Sequence, residues 1–521
     1  MKLASYVGGR WVEGNDNGSA LIDPVLGTEL ARASTAGVDI AGALAFAREK
    51  GGPALRAMSF AERAGLIKAV ADVLTAKRDS YAQIAQANSG NTKIDAAIDI
   101  DGGIGTLKYI ARLGESLGAA KYLRDGKLER LSRDEAFQAM HVSVPIHGVG
   151  IHINAFNFPS WGLWEKAGMS ILAGVPAFAK PATATALLSY QMVKDVIEAG
   201  VLPPGVLSIV CGSAREITDL VTGQDAIAFT GSADTAASLK NHPRVIESEI
   251  RINIEADSLN ACILGSDAKP GTPEFDLFVR EVAREMTVKA GQKCTAIRRA
   301  FVPKAVADDV TGAIEAALAK VVLGNPRNES VTMGPVVSKS QQKAVQEAIA
   351  KLKTEAKVVT GDKPVAPVDA DPGKSCFIAP TLLRNDSPMQ GKAVHDVEAF
   401  GPVCTLMPYG SAGEAFALAA RGGGSLVSSV FTGDKAFAAD AVLGIGAWHG
   451  RVLVVDSSVG KAQTGHGIVM PMCNHGGPGR AGGGAELGGV RGLAFYHQRL
   501  AVQGRADWLQ EIAQGAADTS A

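Results

Sequence analysis

From about Gly148 the chain passes from long helical periodicities to short apolar runs separated by helical stretches, and this alternation narrows the possible fold more than any other feature. The runs VGIHINA, VPAFAKPA, GVLSIVCG, AIAFTGS and, later, NACILGS carry little of the polar alternation that a half-exposed strand would show. Such runs belong to strands covered on both faces, and strands alternating with helices imply a parallel sheet between helical layers. The expected fold class is α/β with a Rossmann-like first sheet. Its strand-to-helix turns lack GxGxxG, so the usual dinucleotide fingerprint gives no support there.

A second α/β region is expected over residues 256–475, with a helix near 275–290 and strands around Ala300–Val302 and Leu426–Phe431. The first 120 residues read as amphipathic helices, as in the stretch from Ala61 to Leu74, and serve as scaffold. The charged segment KYLRDGKLERLSRDE precedes the alternating stretch His141–Ile146 and suggests a hairpin projecting from the body. The string HGGPGRAGGGAELGGVRG, over about 476–493, is dense in glycine but lies between regular-looking segments, which weakens a linker reading.

At 521 residues, with 46% hydrophobic and 20% charged side chains, two or three domains are expected. The 52 basic and 53 acidic side chains balance, which gives no bias toward nucleic acid or an anionic membrane. Glycines, Arg10 and Glu13 interrupt the amino terminus before a signal-peptide core develops, and no uncharged apolar run is long enough to span a bilayer. The six cysteines (211, 262, 294, 376, 404 and 473) form no CxxC pair and no zinc-ligand spacing. No metal is expected, and a reducing, cytoplasmic setting fits.

Three strings carry candidate chemistry. AGQKCTA places Cys294 in a glycine-containing turn after a helix, where backbone N–H groups or a nearby cation would lower its pKa from about 8.5; a small buried hydrophobe is the bland alternative. RINIEADSLN places Glu255 after a short apolar alternation, as a base for water or as an ordinary salt-bridged carboxylate. NAFNFP runs from a strand end into a helix, so Asn157 is either an oxyanion donor or a cap.

In order, NAFNFP, AKPATAT, FTGSADTA, Glu255, GQKC and EAFGPV resemble the aldehyde dehydrogenase superfamily over nearly the whole chain. The resemblance implies a nucleophilic Cys294, an oxyanion held by the Asn157 amide and the Cys294 N–H, and Glu255 as the base for thioester hydrolysis. It implies Lys180 on the adenosine ribose, Gly231 and Ser232 at the pyrophosphate, Glu398 on the nicotinamide ribose and Phe400 beside the nicotinamide. Lys166 falls near the family's proton path. It further makes 1–120 with 148–255 the cofactor domain, 256–475 the catalytic domain, 121–147 with 494–503 the oligomerisation segments of a homodimer, and 476–493 a glycine-rich segment near the substrate site. Many NAD-preferring members carry glutamate where this chain has Thr183, so NADP preference is expected, with NAD less favoured.

Within the superfamily, NAFNFPSWGLWEKAG and the glycine-rich string resemble the dehydrogenases of bacterial CoA-dependent aromatic degradation, in its benzoate and phenylacetate branches. That similarity implies a CoA-linked semialdehyde substrate, such as 3,4-dehydroadipyl-CoA semialdehyde. The alternatives are a CoA-acylating dehydrogenase and a non-catalytic binding or structural protein on the same fold. Glu255 argues against the first, and intact Cys294 and Glu255 against the second.

Overall fold

The computed structural model describes residues 1–519 and contains two seven-stranded sheets. The first runs in the order Arg251–Glu255, Ala226–Thr230, Gly150–Ile153, Ala177–Lys180, Leu207–Ile209, Ser5–Val7, Arg10–Val12. The five strands from Arg251–Glu255 to Leu207–Ile209 are parallel, and the two amino-terminal strands extend the edge antiparallel. The second sheet runs Lys357–Thr360, Thr381–Arg384, Val403–Tyr409, Arg299–Pro303, Ala261–Leu264, Ser425–Phe431, His449–Val455, parallel except for its first pair. Helices pack on both sheets, as the unalternating apolar strands require: Phe178, Ile227 and Phe301 are fully buried.

The amino-terminal region departs from the helical reading. Residues up to Ala33 form five short strands, and the first helix begins at Ile40. Segments of two to five residues are too short to display a period, and only tertiary burial of Leu3, Val7 and Leu21 fixes them. The helix Phe60–Ala76 follows its sequence signals closely. Ser59 and Glu62 form a capping box, and Ile67, Val70, Ala71 and Leu74 bury one face. The helix expected over 275–290 stops at Thr287, because Lys289 and Ala290 adopt left-handed conformations.

Tyr122–Arg130 and Phe137–Pro145 form the hairpin, flanked by His497–Arg505 on one side and Ala516–Asp518 on the other. Helix Ala506–Gln514 covers this four-stranded sheet through Leu509 and Ala513 packed on Met140 and Val142. Among the described residues no helix is long and apolar enough to cross a membrane.

Candidate active site

Cys294 reaches the surface of a cleft because of the backbone just before it. Lys289, Ala290 and Gly291 have φ of 53°, 51° and 68°, a left-handed run that is costly for the two residues bearing a Cβ. Neighbours hold the run in place. Asp95 accepts the Lys289 N–H at 2.8 Å, Arg298 donates to the carbonyls of Gly291 and Lys293, and a buried pair joins Lys293 Nζ to Glu285 Oε1 at 2.6 Å. The Asn260 amide donates to the Cys294 carbonyl at 2.7 Å, which fixes that peptide. Gly291 is obligatory twice over, since a Cβ there would also lie 2.1 Å from the Gly401 carbonyl oxygen.

Asn157 lies in the turn between strand Gly150–Ile153 and helix Trp161–Leu172. Asp99, fully buried, accepts the N–H groups of Ser160 and Trp161 at that helix's start. Asp95 and Asp99 stand one turn apart on helix Lys93–Leu117, so this single helix braces both the Asn157 turn and the Cys294 turn. Glu255 ends strand Arg251–Glu255.

These three side chains sit where two clefts meet. A cleft of about 520 Å³ is lined by Phe158, Trp161, Lys166, Val469 and His475, and a larger one of about 1720 Å³ by Lys180, Gly231, Ser232, Glu398 and Phe400. Asn157, Glu255 and Cys294 line both, with Asn154 and Thr230. Thr183 lines an adjoining hollow that also takes in Lys180 and Arg215. Ser232 caps helix Ala233–Lys240, whose first turn opens on the larger cleft. Phe400 stands edge-on to Phe156, with ring centres 5.7 Å apart, and the Arg298 guanidinium lies over its other side.

The larger cleft fits a dinucleotide. A helix start offers free N–H groups to a phosphate, and the Asn154 amide and Thr230 hydroxyl are buried there without a hydrogen-bond partner. Glu398 lies 4.0 Å from Arg298; burial, only partly offset by Arg298, raises its carboxyl to about 8, and the nearby Asp257 adds to the rise.

The electrostatics correct one expectation. The Cys294 thiol is not depressed: burial first, then the carboxylates Glu255, Glu165 and Glu398, push it well above its ordinary value, outweighing the attraction of Arg298 and Arg451. The sulfur rests as a thiol, so turning it into a nucleophile requires a base. Glu255 is poised the opposite way. Burial would raise it, but His475, whose Nε2 stands 2.9 Å from Glu255 Oε2, together with Lys166 draws it down to about 2.

His475, Glu486 and Glu165 escaped the reading of the sequence as site residues. Strand Asn474–Gly476 pairs with Ala485–Leu487, and His475 stands opposite Glu486. Glu486 accepts from Asn253 at 2.8 Å and lies 2.9 Å from Lys166, which also contacts Glu165 at 3.3 Å. Burial alone would strip Lys166 of its proton, but Glu486, Glu165 and Glu255 hold it in place. The glycines of this segment bring backbones together: Cβ atoms at Gly482 and Gly484 would lie 2.3 and 2.5 Å from the Ile254 carbonyl oxygen. Asn253 further accepts the Ala485 N–H at 2.8 Å, so the ribbon is fastened to the strand that ends in Glu255. The signal was present in the lone histidine of HGGPG, but in a glycine-rich string its partner cannot be read.

A dinucleotide-sized cleft at strand ends, meeting a second cleft at a half-buried thiol, defines an α/β oxidoreductase of cofactor-dependent type. The chain belongs to the aldehyde dehydrogenase family, whose model matches residues 11–500, and a nicotinamide cofactor comes with that membership. It is 55% identical over 479 residues to a 3,4-dehydroadipyl-CoA semialdehyde dehydrogenase of Aromatoleum evansii, covering 92% of this chain and 93% of that one. It is 28% identical over 458 residues to aldehyde dehydrogenase 1A1 of Rattus norvegicus, covering 86% and 83%. The betaine aldehyde dehydrogenase structure from Staphylococcus aureus shares the fold, with a TM-score of 0.83 over 96% of this chain and 95% of that one at 24% identity.

Proposed function

We propose that this chain oxidises a CoA-linked semialdehyde, of the kind named for its Aromatoleum relative, to the carboxylic acid with NADP as oxidant. The observation that carries the mechanism is the meeting of the two clefts at Cys294, Glu255 and Asn157. The substrate class rests on the 55% identity.

Glu255 takes the thiol proton, and the Cys294 sulfur bonds to the aldehyde carbon to give a thiohemiacetal. The Asn157 amide and the Cys294 N–H hold its oxyanion. Lys180, Gly231, Ser232, Glu398 and Phe400, which line the larger cleft, would hold NADP, and the cofactor would supply the hydride acceptor. Loss of hydride leaves a thioester on Cys294. Glu255 gives up the thiol proton to solvent through the substrate cleft and, again a carboxylate, removes a proton from water as the oxygen adds to the acyl carbon; collapse breaks the C–S bond, returns the electron pair to sulfur and frees the acid. A buried carboxylate in reach of both sulfur and water favours hydrolysis over transfer to free CoA.

NADP preference rests on Thr183. A glutamate there would repel a 2′-phosphate, whereas a hydroxyl beside Lys180 accepts one. We assign 148–255, with residues from the first 120, to cofactor binding, 256–475 to catalysis and 476–493 to the substrate side. The sheet of 121–147 and 494–503 serves a cytoplasmic homodimer; elution at monomer mass on dilution would remove that assignment.

The test is NADPH formation at 340 nm with the CoA-linked semialdehyde, with simple aldehydes and with NAD in place of NADP. Turnover confined to the CoA-linked substrate and faster with NADP is expected. Equal rates with simple aldehydes would remove the substrate class, and equal efficiency with NAD would remove the cofactor preference.

A further inference from the structure

His475 and Glu255 are both buried, and their closest atoms lie 2.9 Å apart. The mechanism above uses Glu255 twice without saying what holds it. A carboxylate free to rotate in a cleft would spend much of its time off both sulfur and water, and a displacement of about 1 Å can cost about 100-fold in rate. His475 supplies the restraint from a rigid mount. Its strand is locked to Ala485–Leu487, and that ribbon is hydrogen-bonded to Asn253, two residues before Glu255 on the same face of the same strand.

From this geometry, and resting on the roles proposed for Cys294 and Glu255, we infer that His475 is the positioning residue of the general base and the first acceptor of its proton. A protonated His475 holds Glu255 as a paired carboxylate, which is a weak base. A neutral His475 with its proton on Nδ1 turns the Nε2 lone pair toward Glu255 Oε2, which ends the pairing and leaves the carboxylate more basic. When Glu255 takes a proton from water, neutral His475 accepts it across the Oε2···Nε2 contact, and the carboxylate is restored before the next aldehyde arrives. His475 lines the substrate cleft, through which the proton leaves.

The titratable groups facing His475 are Glu255 on its strand, Glu165 and Lys166 on helix Trp161–Leu172, Glu486 across the ribbon and Cys294 on its turn. The carboxylates favour its charged form, and their attraction outweighs burial, so its pKa lies above the ordinary histidine value. The charged pair therefore forms above about pH 2, where Glu255 ionises, and is lost as pH rises through the raised value of His475.

The test is rapid mixing of the enzyme, NADP and aldehyde at 340 nm for wild type, His475→Gln and His475→Leu. In both variants we expect a burst of NADPH stoichiometric with Cys294, followed by a linear phase slowed about 100-fold in the leucine variant. The glutamine amide still holds the carboxylate but does not titrate, so it recovers part of the rate while the linear phase loses the rise that wild type shows above the ordinary histidine range. Linear phases with wild-type rate and pH dependence in both variants would overturn the inference. So would loss of the burst amplitude with cofactor binding intact, since misplacing the base slows its steps without reducing the number of competent thiols. If wild type itself binds cofactor but shows neither phase with any aldehyde, the proposed function fails, and the assignment of His475 with it.

Discussion

The two seven-stranded sheets have the same strand count and nearly the same parallel order, yet they serve the site from opposite ends. The first offers the carboxyl ends of its strands: Ile153, Lys180, Thr230 and Glu255 all line the larger cleft. The second offers the segments that lead into its strands. Cys294 precedes Arg299–Pro303, and Glu398 precedes Val403–Tyr409. Carboxyl ends open onto helix starts and their free N–H groups, so they bind by backbone. The entering segments have no such general chemistry and must be built residue by residue. They bring the Cys294 thiol to the Glu255 that ends a strand of the first sheet, and their geometry depends on buried pairs and left-handed turns.

Substitutions on the two sides should therefore fail differently. Cys294→Ala, on the entering side, should abolish NADPH formation by on the order of 10⁴-fold or more while fluorescence titration shows cofactor binding unchanged. Glu255→Gln should lower steady-state turnover by about 10³-fold and slow the burst on rapid mixing as well, because it removes the base for the thiol and for water alike. Lys293→Met breaks the buried pair with Glu285 beneath the nucleophile and should cost about 3–5 kcal/mol of stability in urea unfolding.

Along the larger cleft, which both sides line, the effects should be confined to the cofactor. Thr183→Glu should lower kcat/KM for NADP by about tenfold or more and spare that for NAD, measured at saturating aldehyde. The smallest effect belongs to Glu398. Its carboxyl titrates at about 8, so the charged form, the better acceptor for ribose hydroxyls, grows as pH rises from 7 to 9. NADP affinity should strengthen by about fivefold over that interval, and Glu398→Gln should flatten the dependence in calorimetry. If cofactor affinity instead collapses in Lys293→Met, the contrast between the two ends is broken.

The same contrast sorts what was legible in the sequence. Strands such as Ala226–Thr230 and the capped helix Phe60–Ala76 announce themselves by composition and period. The amino-terminal strands do not, since Ser5–Val7 has no room for a pattern. Cys294, Glu255 and Asn157 are modest as isolated strings and gain meaning through ordered likeness to a family. The left-handed Lys289 and Ala290 follow from contacts with Asp95 and the neighbouring loops, which no local rule encodes. Likewise the His475–Glu255 contact joins segments far apart in the chain through a ribbon whose glycines read locally as freedom and act spatially as close contact.

That fastening bears on how such an enzyme could change its diet. Because the ribbon lies backbone to backbone on the strand bearing Glu255, lengthening or exchanging it to admit a new substrate would move His475 and Glu486 as well. Room exists at one point of the same cleft: a Cβ at Gly162 meets nothing within 4 Å. Evolution, or an engineer, has space to reshape the cleft there, while the ribbon is committed to the chemistry.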